Sequence, residues 1–436
     1  MAKVLRSVGL DVGTTSTQMI LSQLTIENRA SAFSVPEMEI ARREILYKSP
    51  IHFTPLISGE LVDGEGIRAI VAEEYEKAGI CREDVDTGAI IITGETSRKE
   101  NAAAVLQNIS DFAGDFVVAT AGPDLESVLA AKGAGAVEYS AETGKTVLHM
   151  DIGGGTSNLA LIEEGKVTAT GCLNVGGRLL KFDSAGAITY ISPVLDGIFD
   201  RSMGLDTLTD TLVAALEMAA GLREKTALLD KLWTKESGQV WVSVPTDAII
   251  SFSGGVADCI ETKHPDLVFG DIGPLLGRAI RKSRLCQGQY RLGSETIRAT
   301  VIGAGCHSAQ LSGSTVYHQN VAFPLKNLPV VTHISALSGL DGPGVLALPG
   351  IPSAHYDQVT DLADEITKTW PAQPVFIALQ SDMAKALGHA LALRLGKDRA
   401  ILCMDRVILQ ENSYLDIAAP VGTALPVVVK TLILNR

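Results

Sequence analysis

The sequence lacks the basic charge of a nucleic-acid-binding protein and the cysteine pattern of a secreted one. Its 436 residues include 37 Lys and Arg against 50 Asp and Glu, a formal net charge of −13. This balance disfavours broad binding to nucleic acids or anionic membranes, which requires basic surface. The six cysteines have neither metal-ligand nor disulfide-framework spacing, so we expect buried small side chains in a reducing compartment.

Long apolar runs are missing as well. Lys3, Arg6 and Asp11 leave no room for the apolar core of a signal peptide near the first residue. Residues 417–429 carry no charge, but the segment is too short for a membrane span and contains Pro420 and Pro426. We therefore expect a cytoplasmic protein that binds neither nucleic acid nor membrane.

The residues that are abundant predict a large α/β protein. Hydrophobic residues make up 46% of the chain, enough for extensive cores and for an additional interface with a partner or with a second copy in a homo-oligomer. The length alone allows roughly two to four domains.

A strand–turn–strand pattern occurs twice. Apolar residues 4–12 precede a turn rich in glycine and hydroxyl residues, and a returning strand follows over 15–24. The pattern restarts at 146–151 and continues in strands over 157–174. The repeat, about 140 residues apart, predicts two similar α/β domains over 1–140 and 141–315 with a cleft between them.

The rest of the chain predicts a helical insertion and a further domain. Residues 181–300 are expected to be mostly helical. A proline-rich region, a helix over 382–395 and strands near 400–409 and 425–434 predict an appended C-terminal α/β domain over 316–436. Asp382 is expected to be the N-cap of that helix.

The first turn combines a carboxylate at a strand end with glycine and hydroxyl groups. Gly13 lets backbone N–H groups approach an anion, and further donors come from Thr14, Thr15 and Ser16. Asp11 would repel a phosphate, so it must act through a cation or its waters, as with Mg²⁺. Alone, this turn could equally be a structural β-turn.

The second turn strengthens the phosphate interpretation. It has three consecutive glycines, Gly153, Gly154 and Gly155, between apolar strands. Such a run costs backbone entropy that a structural turn rarely requires, whereas a phosphate cradle uses the exposed N–H groups. Asp151 repeats Asp11, and the hydroxyl residues are Thr156 and Ser157. Two such turns on two similar domains predict a site that grips a nucleotide polyphosphate from both sides.

A third apolar strand, near 249–253, ends in Gly254 and Gly255 with no acidic residue in the turn. A flat backbone patch of this kind suits a purine or ribose better than a phosphate.

In this order, the three motifs resemble the phosphate-1, phosphate-2 and adenosine motifs of the actin-like ATPase superfamily, which includes heat-shock ATPases, actin and sugar kinases. The resemblance implies two ribonuclease-H-like domains with ATP in the cleft and two connecting helices that act as a hinge. Residues 122–136 and 302–305 stand where the superfamily places these helices, and glycines there would let them pack closely.

The chain also resembles, from end to end, the family of ethanolamine ammonia-lyase reactivating factors (EutA). The segments that carry this likeness lie at 10–17, 93–96, 120–127, 150–156, 338–343, 380–388 and 427–434. The resemblance implies a chaperone-like ATPase that acts on ethanolamine ammonia-lyase and releases damaged cobalamin so that intact adenosylcobalamin can bind. It also makes association with a bacterial microcompartment an expectation.

The resemblance to the actin-like ATPase superfamily also implies roles for the site residues. Asp11 and Asp151 would order the waters of Mg²⁺ and the attacking water, while the nearby hydroxyl residues would hold phosphate oxygens. Glu126 is the preferred general base, with Asp124 and Glu95 as alternatives. The lysine that heat-shock members place near the phosphates has no counterpart that the sequence identifies.

Two other functions stay open at this point. A small-molecule kinase would share the turns, although residues 60–110 contain no obvious sugar-kinase signature. A non-enzymatic actin-like scaffold would share them too. His149, within the strand that ends at the second turn, is expected to be a core residue with satisfied hydrogen bonds.

Overall fold

The protein is described from a computed structural model. The residues described are 3–13, 16–28, 38–58, 61–93, 101, 105, 109, 117–120, 122–234, 243–306, 309–311, 316–340, 342–370, 374–407, 409, 413–417, 420 and 425–431. The predicted Thr14 and Thr15, and the alternative base Glu95, lie outside these residues.

The first sheet is built around β1. Its strands are β1 (Lys3–Val12), β2 (Ser16–Asn28), β3 (Met38–Lys48), β4 (His52–Phe53), β5 (Thr87–Ile92) and β6 (Val117–Thr120). The order is β3-β2-β1-β5-β6, with β4 paired to β2. The first three strands are antiparallel, and β5 and β6 run parallel to β1.

Helix α1 (Gly64–Ala78) covers this sheet. The side chain of Asp63 accepts a hydrogen bond from the N–H of Gly66 at its start, and Gly79, with φ of 66°, ends it. Ile67 and Val71 face the core formed with β1 and β5. The spacing of the apolar residues along α1 therefore gives the helix one buried face.

The second sheet repeats the first. Its elements are β7 (Val147–Ile152), β8 (Ser157–Glu163), β9 (Lys166–Leu173), β12 (Ile249–Ser253) and β13 (Tyr290–Leu292), with a separate hairpin of β10 (Leu180–Phe182) and β11 (Ile188–Ile191). The order is β13-β12-β7-β8-β9. In each sheet the first three strands are antiparallel and the last two parallel the first. This shared 3-2-1-4-5 order confirms the predicted pair of ribonuclease-H-like units.

The helices of this part are α2 (Pro123–Gly133), α3 (Ala136–Thr143), α4 (Leu205–Ala219), α5 (Ala227–Leu232), α6 (Asp258–Glu261), α7 (Gly273–Lys282) and α8 (Ala299–Cys306). The prediction that 181–300 is mostly helical is wrong in part. Besides the predicted strand near 249–253, strands β10, β11 and β13 also lie there, because strands of three or four residues carry too little alternation to be recognised.

Helices α2 and α8 connect the two sheets and cross each other. Helix α2 packs on β7, β8 and β9, whereas α8 packs on β1, β2 and β5. A Cβ added at Gly133 would lie 1.8 Å from the carbonyl oxygen of Ala299, and one at Gly303 would lie 2.0 Å from that of Leu129. The predicted close packing of these helices through glycine is confirmed.

A third sheet contains β14 (Ala309–Leu311), β15 (Tyr317–Gln319), β16 (Leu325–Val331), β17 (Val345–Leu348), β18 (Val375–Leu379), β19 (Ile401–Met404), β20 (Ser413–Ile417) and β21 (Pro426–Thr431). The order is β14-β21-β20-β16-β17-β18-β19-β15. Helices α9 (Tyr356–Thr369) and α10 (Ala384–Leu395) pack against each other and against buried residues of β18 and β19. Strand β14 joins this sheet although it precedes residue 316, the predicted start of the region.

Asp382 does not cap α10. The N-cap is Met383, which makes no side-chain cap bond, and Asp382 instead lies 3.6 Å from the guanidinium of Arg406. Burial raises the pKa of Asp405 to about 7, and the hydrogen bond and negative charge of Asp382 act in the same direction. The prediction of Asp382 as N-cap was wrong because the helix begins at Ala384, two residues later than the predicted start at 382.

Candidate functional site

The two Asp-Gly turns are closed by equivalent backbone hydrogen bonds. In the first, between β1 and β2, the N–H of Gly13 donates to the carbonyl of Ser16 at 2.9 Å. In the second, between β7 and β8, the N–H of Gly153 donates to the carbonyl of Thr156, also at 2.9 Å. Each aspartate therefore stands two residues before the glycine that closes a hairpin turn.

A hydroxyl from the neighbouring parallel strand holds each aspartate. Thr93, just after β5, donates to Oδ1 of Asp11 at 2.9 Å. Ser253, at the end of β12, donates to Oδ1 of Asp151. The sheet order explains both bonds, because β5 and β12 occupy equivalent positions beside β1 and β7. Sequence reasoning gave neither hydroxyl a role, although both end apolar strands that precede glycines.

The two carboxyl groups share one electrostatic environment. Burial raises the pKa of Asp11 to about 7; the bond from Thr93 lowers it, and the negative charge of Asp151 raises it further. Burial raises the pKa of Asp151 to about 6, and the bond from Ser253 opposes this shift. Since the charge of Asp151 acts on the pKa of Asp11, the two carboxyl groups lie within electrostatic range of each other, and a site shared by the two turns stays a prediction.

The fold itself does not require the glycines of the second turn. None of Gly153, Gly154 and Gly155 has φ in the left-handed region. A Cβ at Gly155 would meet nothing within 4 Å, and Cβ atoms at Gly153 and Gly154 would make only ordinary contacts of 3.4–3.6 Å. Side chains would fit this backbone, so the glycines are better explained by the close approach of a ligand.

A second glycine pair, Gly176 and Gly177, packs against the backbone of this turn. The N–H groups of Gly177 and Arg178 donate to the carbonyls of Gly153 and Gly154 at 3.0 and 2.6 Å. A Cβ at Gly176 would lie 2.3 Å from the carbonyl oxygen of Gly154, so glycine is obligatory there. The turn is thus anchored through its carbonyls. The Gly-Gly-Arg sequence was the available signal, and sequence reasoning missed it.

Arg178 places a cation beside the second turn. Its aliphatic stem lies 3.4–3.5 Å from the position of a Cβ on Gly154, and its Nε bonds to Asp271 at 3.1 Å. Asp271 is buried and accepts a further bond from the N–H of Gly273 at 2.8 Å. Burial raises the pKa of Asp271, which Arg178 partly offsets. The pair fixes both side chains at the edge of the site.

The third turn lies against the second. Gly254 has φ of 86°, and its Cβ would lie 2.3 Å from the carbonyl oxygen of Ile152, so glycine is obligatory for packing. Gly255 is free of close contacts, with Ile297 at 3.8 Å. Of the two glycines predicted to face adenosine, only Gly255 is left without a structural reason for being glycine.

Three predicted residues have contacts within the fold. Ser157 is buried in β8, and its hydroxyl donates to the carbonyl of Val175 at 2.7 Å. That bond argues against a phosphate contact through its side chain. Glu126 is half-buried in the first turn of α2, where its N–H bonds to Gly122. Asp124 accepts a bond from the hydroxyl of Thr170 at 2.7 Å, which ties α2 to β9.

His149 is buried and bonded on both sides, as expected of a core residue. Its Nδ1 lies 3.1 Å from Oγ of Ser251, and its Nε2 lies 2.9 Å from Oγ of Ser253. Burial lowers its pKa to about 3, with a smaller contribution from Arg291, so the ring is neutral.

The metal-binding capacity of the site rests on few side chains. Across the described part of the chain, no group of three or more His, Cys, Asp or Glu side chains is arranged to hold a metal ion. Two carboxylates are enough for Mg²⁺ when substrate phosphates and waters supply the other ligands. The same part of the chain contains no helix that is both long and apolar enough to span a membrane.

Several solved structures are distantly similar. The PPX-GPPA enzyme of Aquifex aeolicus is 15% identical, with a TM-score of 0.37 over 59% of this chain and 70% of that chain. The ethanolamine utilization protein EutJ of Carboxydothermus hydrogenoformans is 18% identical, with a TM-score of 0.35 over 69% of this chain and 88% of that chain.

Sequence comparison is far more specific. The family described as ethanolamine utilisation protein EutA matches residues 3–341 and 336–435. Curated proteins named ethanolamine ammonia-lyase reactivase EutA, from Salmonella typhimurium and Escherichia coli, are each 39% identical over 98% of this chain and 98% of their own length. The paired turns and the end-to-end match lead to one conclusion: the chain belongs to the EutA family of ethanolamine utilisation proteins.

Proposed function

We propose that this protein binds Mg²⁺-ATP between its two Asp-Gly turns and uses ATP hydrolysis to reactivate ethanolamine ammonia-lyase. The glycines of the second turn carry the nucleotide part of the proposal, because neither backbone conformation nor packing requires them. The choice of partner is supported by the names of the curated relatives, which share 39% of their residues with this chain.

The residues present suit Mg²⁺ and phosphate. Asp11 and Asp151 offer hard oxygen ligands, and a nearby cation would favour the charged forms that burial disfavours. Bound Mg²⁺ would neutralise charge on the β- and γ-phosphates. In this proposal the two carboxylates orient metal-bound and attacking waters, while the N–H groups of Gly154 and Gly155 and the hydroxyl of Thr156 hold phosphate oxygens. Glu126 stays a candidate base.

The crossing of α2 and α8 offers the route from nucleotide to partner. Each helix packs on one sheet, so a change in how the turns close around ATP or ADP shifts one helix against the other. The lyase would bind one closure state more tightly than the other, and the difference would open it for exchange of damaged cobalamin. The two proteins would then share a location, including any microcompartment that holds the lyase.

A reactivation assay tests the function. Ethanolamine ammonia-lyase blocked with cyanocobalamin is incubated with this protein, Mg²⁺-ATP and adenosylcobalamin, and released ammonia is measured. We expect activity to return only when both ATP and this protein are present. If the wild-type protein restores nothing, the proposed partner is wrong.

Variants test the site separately. Asp11→Asn and Asp151→Asn should each abolish ATP hydrolysis and reactivation, because the amide cannot order Mg²⁺ waters as a carboxylate does. Asp210→Asn, on the exposed face of α4, is the matched control and should behave as wild type. Wild-type hydrolysis rates in both site variants would refute the assignment even if reactivation itself is observed.

A further inference from the structure

A row of buried polar side chains leads to the second turn. His149, Ser251 and Ser253 are completely buried, and Asp151 is 6% exposed. The strands β7 and β12 are parallel neighbours in which Ser251 aligns with His149 and Ser253 with Asp151. Residues two apart on a strand share a face, so all four lie on one face of the sheet.

The hydrogen atoms in this row can be assigned by counting donors. Ser253 has one hydroxyl proton, and it donates to Oδ1 of Asp151. Its oxygen can therefore only accept from Nε2 of His149 at 2.9 Å. A neutral ring with its proton on Nε2 has a bare Nδ1, which must accept from the hydroxyl of Ser251 at 3.1 Å. Every donor then points towards Asp151.

We propose that Ser251, His149 and Ser253 form a one-directional hydrogen-bond relay that positions Asp151 for nucleotide-dependent chemistry. The relay fixes Oδ1 and leaves Oδ2 as the oxygen that can serve a metal-bound or attacking water. His149 and Ser253 are positioning residues, since they act through Asp151. The inference rests on the proposed function, which gives Asp151 its role at the phosphates.

Packing alone does not explain the row. The neighbours of His149 along the strand, Leu148 and Met150, are buried and apolar, and an apolar side chain at 149 would avoid the cost of burying an imidazole and two hydroxyls. Such polar rows are kept where orientation matters, because each bond removes a rotational freedom of the group at its end.

The first sheet has no equivalent relay. Gly9 stands two residues before Asp11, as His149 stands two before Asp151, and a Cβ on Gly9 would lie 2.7 Å from the carbonyl oxygen of Val301 in α8. No imidazole fits there. Asp11 is held by the hydroxyl of Thr93. The relay therefore belongs to the second turn and is not a by-product of the repeated fold.

The tautomer of His149 tests the relay directly. Proton–nitrogen correlation spectra of ¹⁵N-histidine-labelled protein, assigned with His149→Gln, should show a neutral ring protonated on Nε2. A ring protonated on Nδ1, or on both nitrogens, would overturn the proposal. This measurement needs no activity, so it decides the relay even if the wild-type protein hydrolyses no ATP and the proposed function fails.

Kinetics test whether the relay positions Asp151. His149→Leu should lower kcat for Mg²⁺-ATP hydrolysis about 10- to 100-fold, as is typical when a bond behind a metal-site ligand is lost. Affinity for ADP without metal should stay within about twofold, because the turn backbone is unchanged. His149→Gln keeps an N–H donor and an acceptor and should recover most of kcat. Equal losses in both variants would show a merely structural role.

A second pair of variants guards against a folding defect in His149→Leu. Ser253→Ala removes the bond to Asp151, whereas Ser253→Thr keeps the hydroxyl, as Thr93 does on the first sheet. We expect the alanine variant to lose kcat to the same extent as His149→Leu and the threonine variant to retain it within about threefold. Wild-type kcat in Ser253→Ala would overturn the relay.

Discussion

Replacing Gly133 by alanine should force the connecting helices α2 and α8 apart. The added Cβ would lie 1.8 Å from the carbonyl oxygen of Ala299 and 2.7 Å from the nitrogen of Gly303, whereas real Cβ contacts stay beyond 3.0 Å. The helices would have to separate by about 1.2 Å to reach that limit along the shorter contact. Both atoms belong to the backbone, so no rotamer change can relieve the clash.

The magnitude follows from two opposing terms. Overpacking a close-packed interface costs roughly 1–3 kcal/mol, and a backbone clash this short belongs at the upper end. Alanine has the better helix propensity by about 1 kcal/mol, which acts in the opposite direction. We therefore expect the free energy of unfolding to fall by about 2 kcal/mol. Gly303→Ala, whose Cβ would lie 2.0 Å from the carbonyl oxygen of Leu129, should behave similarly.

Urea denaturation followed by circular dichroism measures the change, with Gly288→Ala as control. Gly288 is exposed, and a Cβ there meets nothing within 4 Å, so its substitution should alter the unfolding free energy by less than about 0.5 kcal/mol. Reactivation by Gly133→Ala should also fall at temperatures where the variant is folded, because the crossing is the proposed hinge. A Gly133→Ala protein as stable and active as the control would refute the tight crossing.

Three further outcomes follow from the charged groups of the site. Asp11→Asn and Asp151→Asn should abolish hydrolysis but raise the melting temperature at pH 8, because burial disfavours the charged form of both carboxyl groups and the amide carries no charge. A lower melting temperature in both variants would contradict the raised pKa values. Mg²⁺-ADP binding should tighten as pH rises through about 6–7, since the bound metal must displace the protons that Asp11 and Asp151 hold. Calorimetry in buffers of different ionisation enthalpy should detect the released protons, and pH-independent binding would contradict the proposed role of the two carboxyl groups. Arg178→Ala should lower the free energy of unfolding by roughly 1–3 kcal/mol, because it leaves the buried Asp271 without its cation. Adding Asp271→Asn should recover part of that loss in a double-mutant cycle, whereas strict additivity of the two changes would show that the pair does not interact.

The sequence alone predicts strands and turns where the signal lies within a few neighbouring residues. The hairpin turns at Gly13 and Gly153 follow from apolar strands that end in Asp-x-Gly. Short strands such as β10 and β13 escaped notice, because three residues cannot establish a period. Asp382 was assigned to a helix cap on local pattern, whereas its partners Asp405 and Arg406 lie just after β19.

By itself the sequence determined the repeated Asp-Gly turns and, through them, predicted a nucleotide site, since glycine and aspartate at strand ends are local signals. Only the tertiary structure decided which groups serve those turns. Thr93 and Ser253 lie far in sequence from Asp11 and Asp151, and the pairing of parallel strands brings them together. Arg178 reaches the second turn through its backbone N–H, which bonds to the carbonyl of Gly154. The tertiary structure also distinguishes positions where packing requires glycine, such as Gly254, from positions where a side chain would fit, such as Gly155. Only a close neighbour or a φ angle can make that distinction.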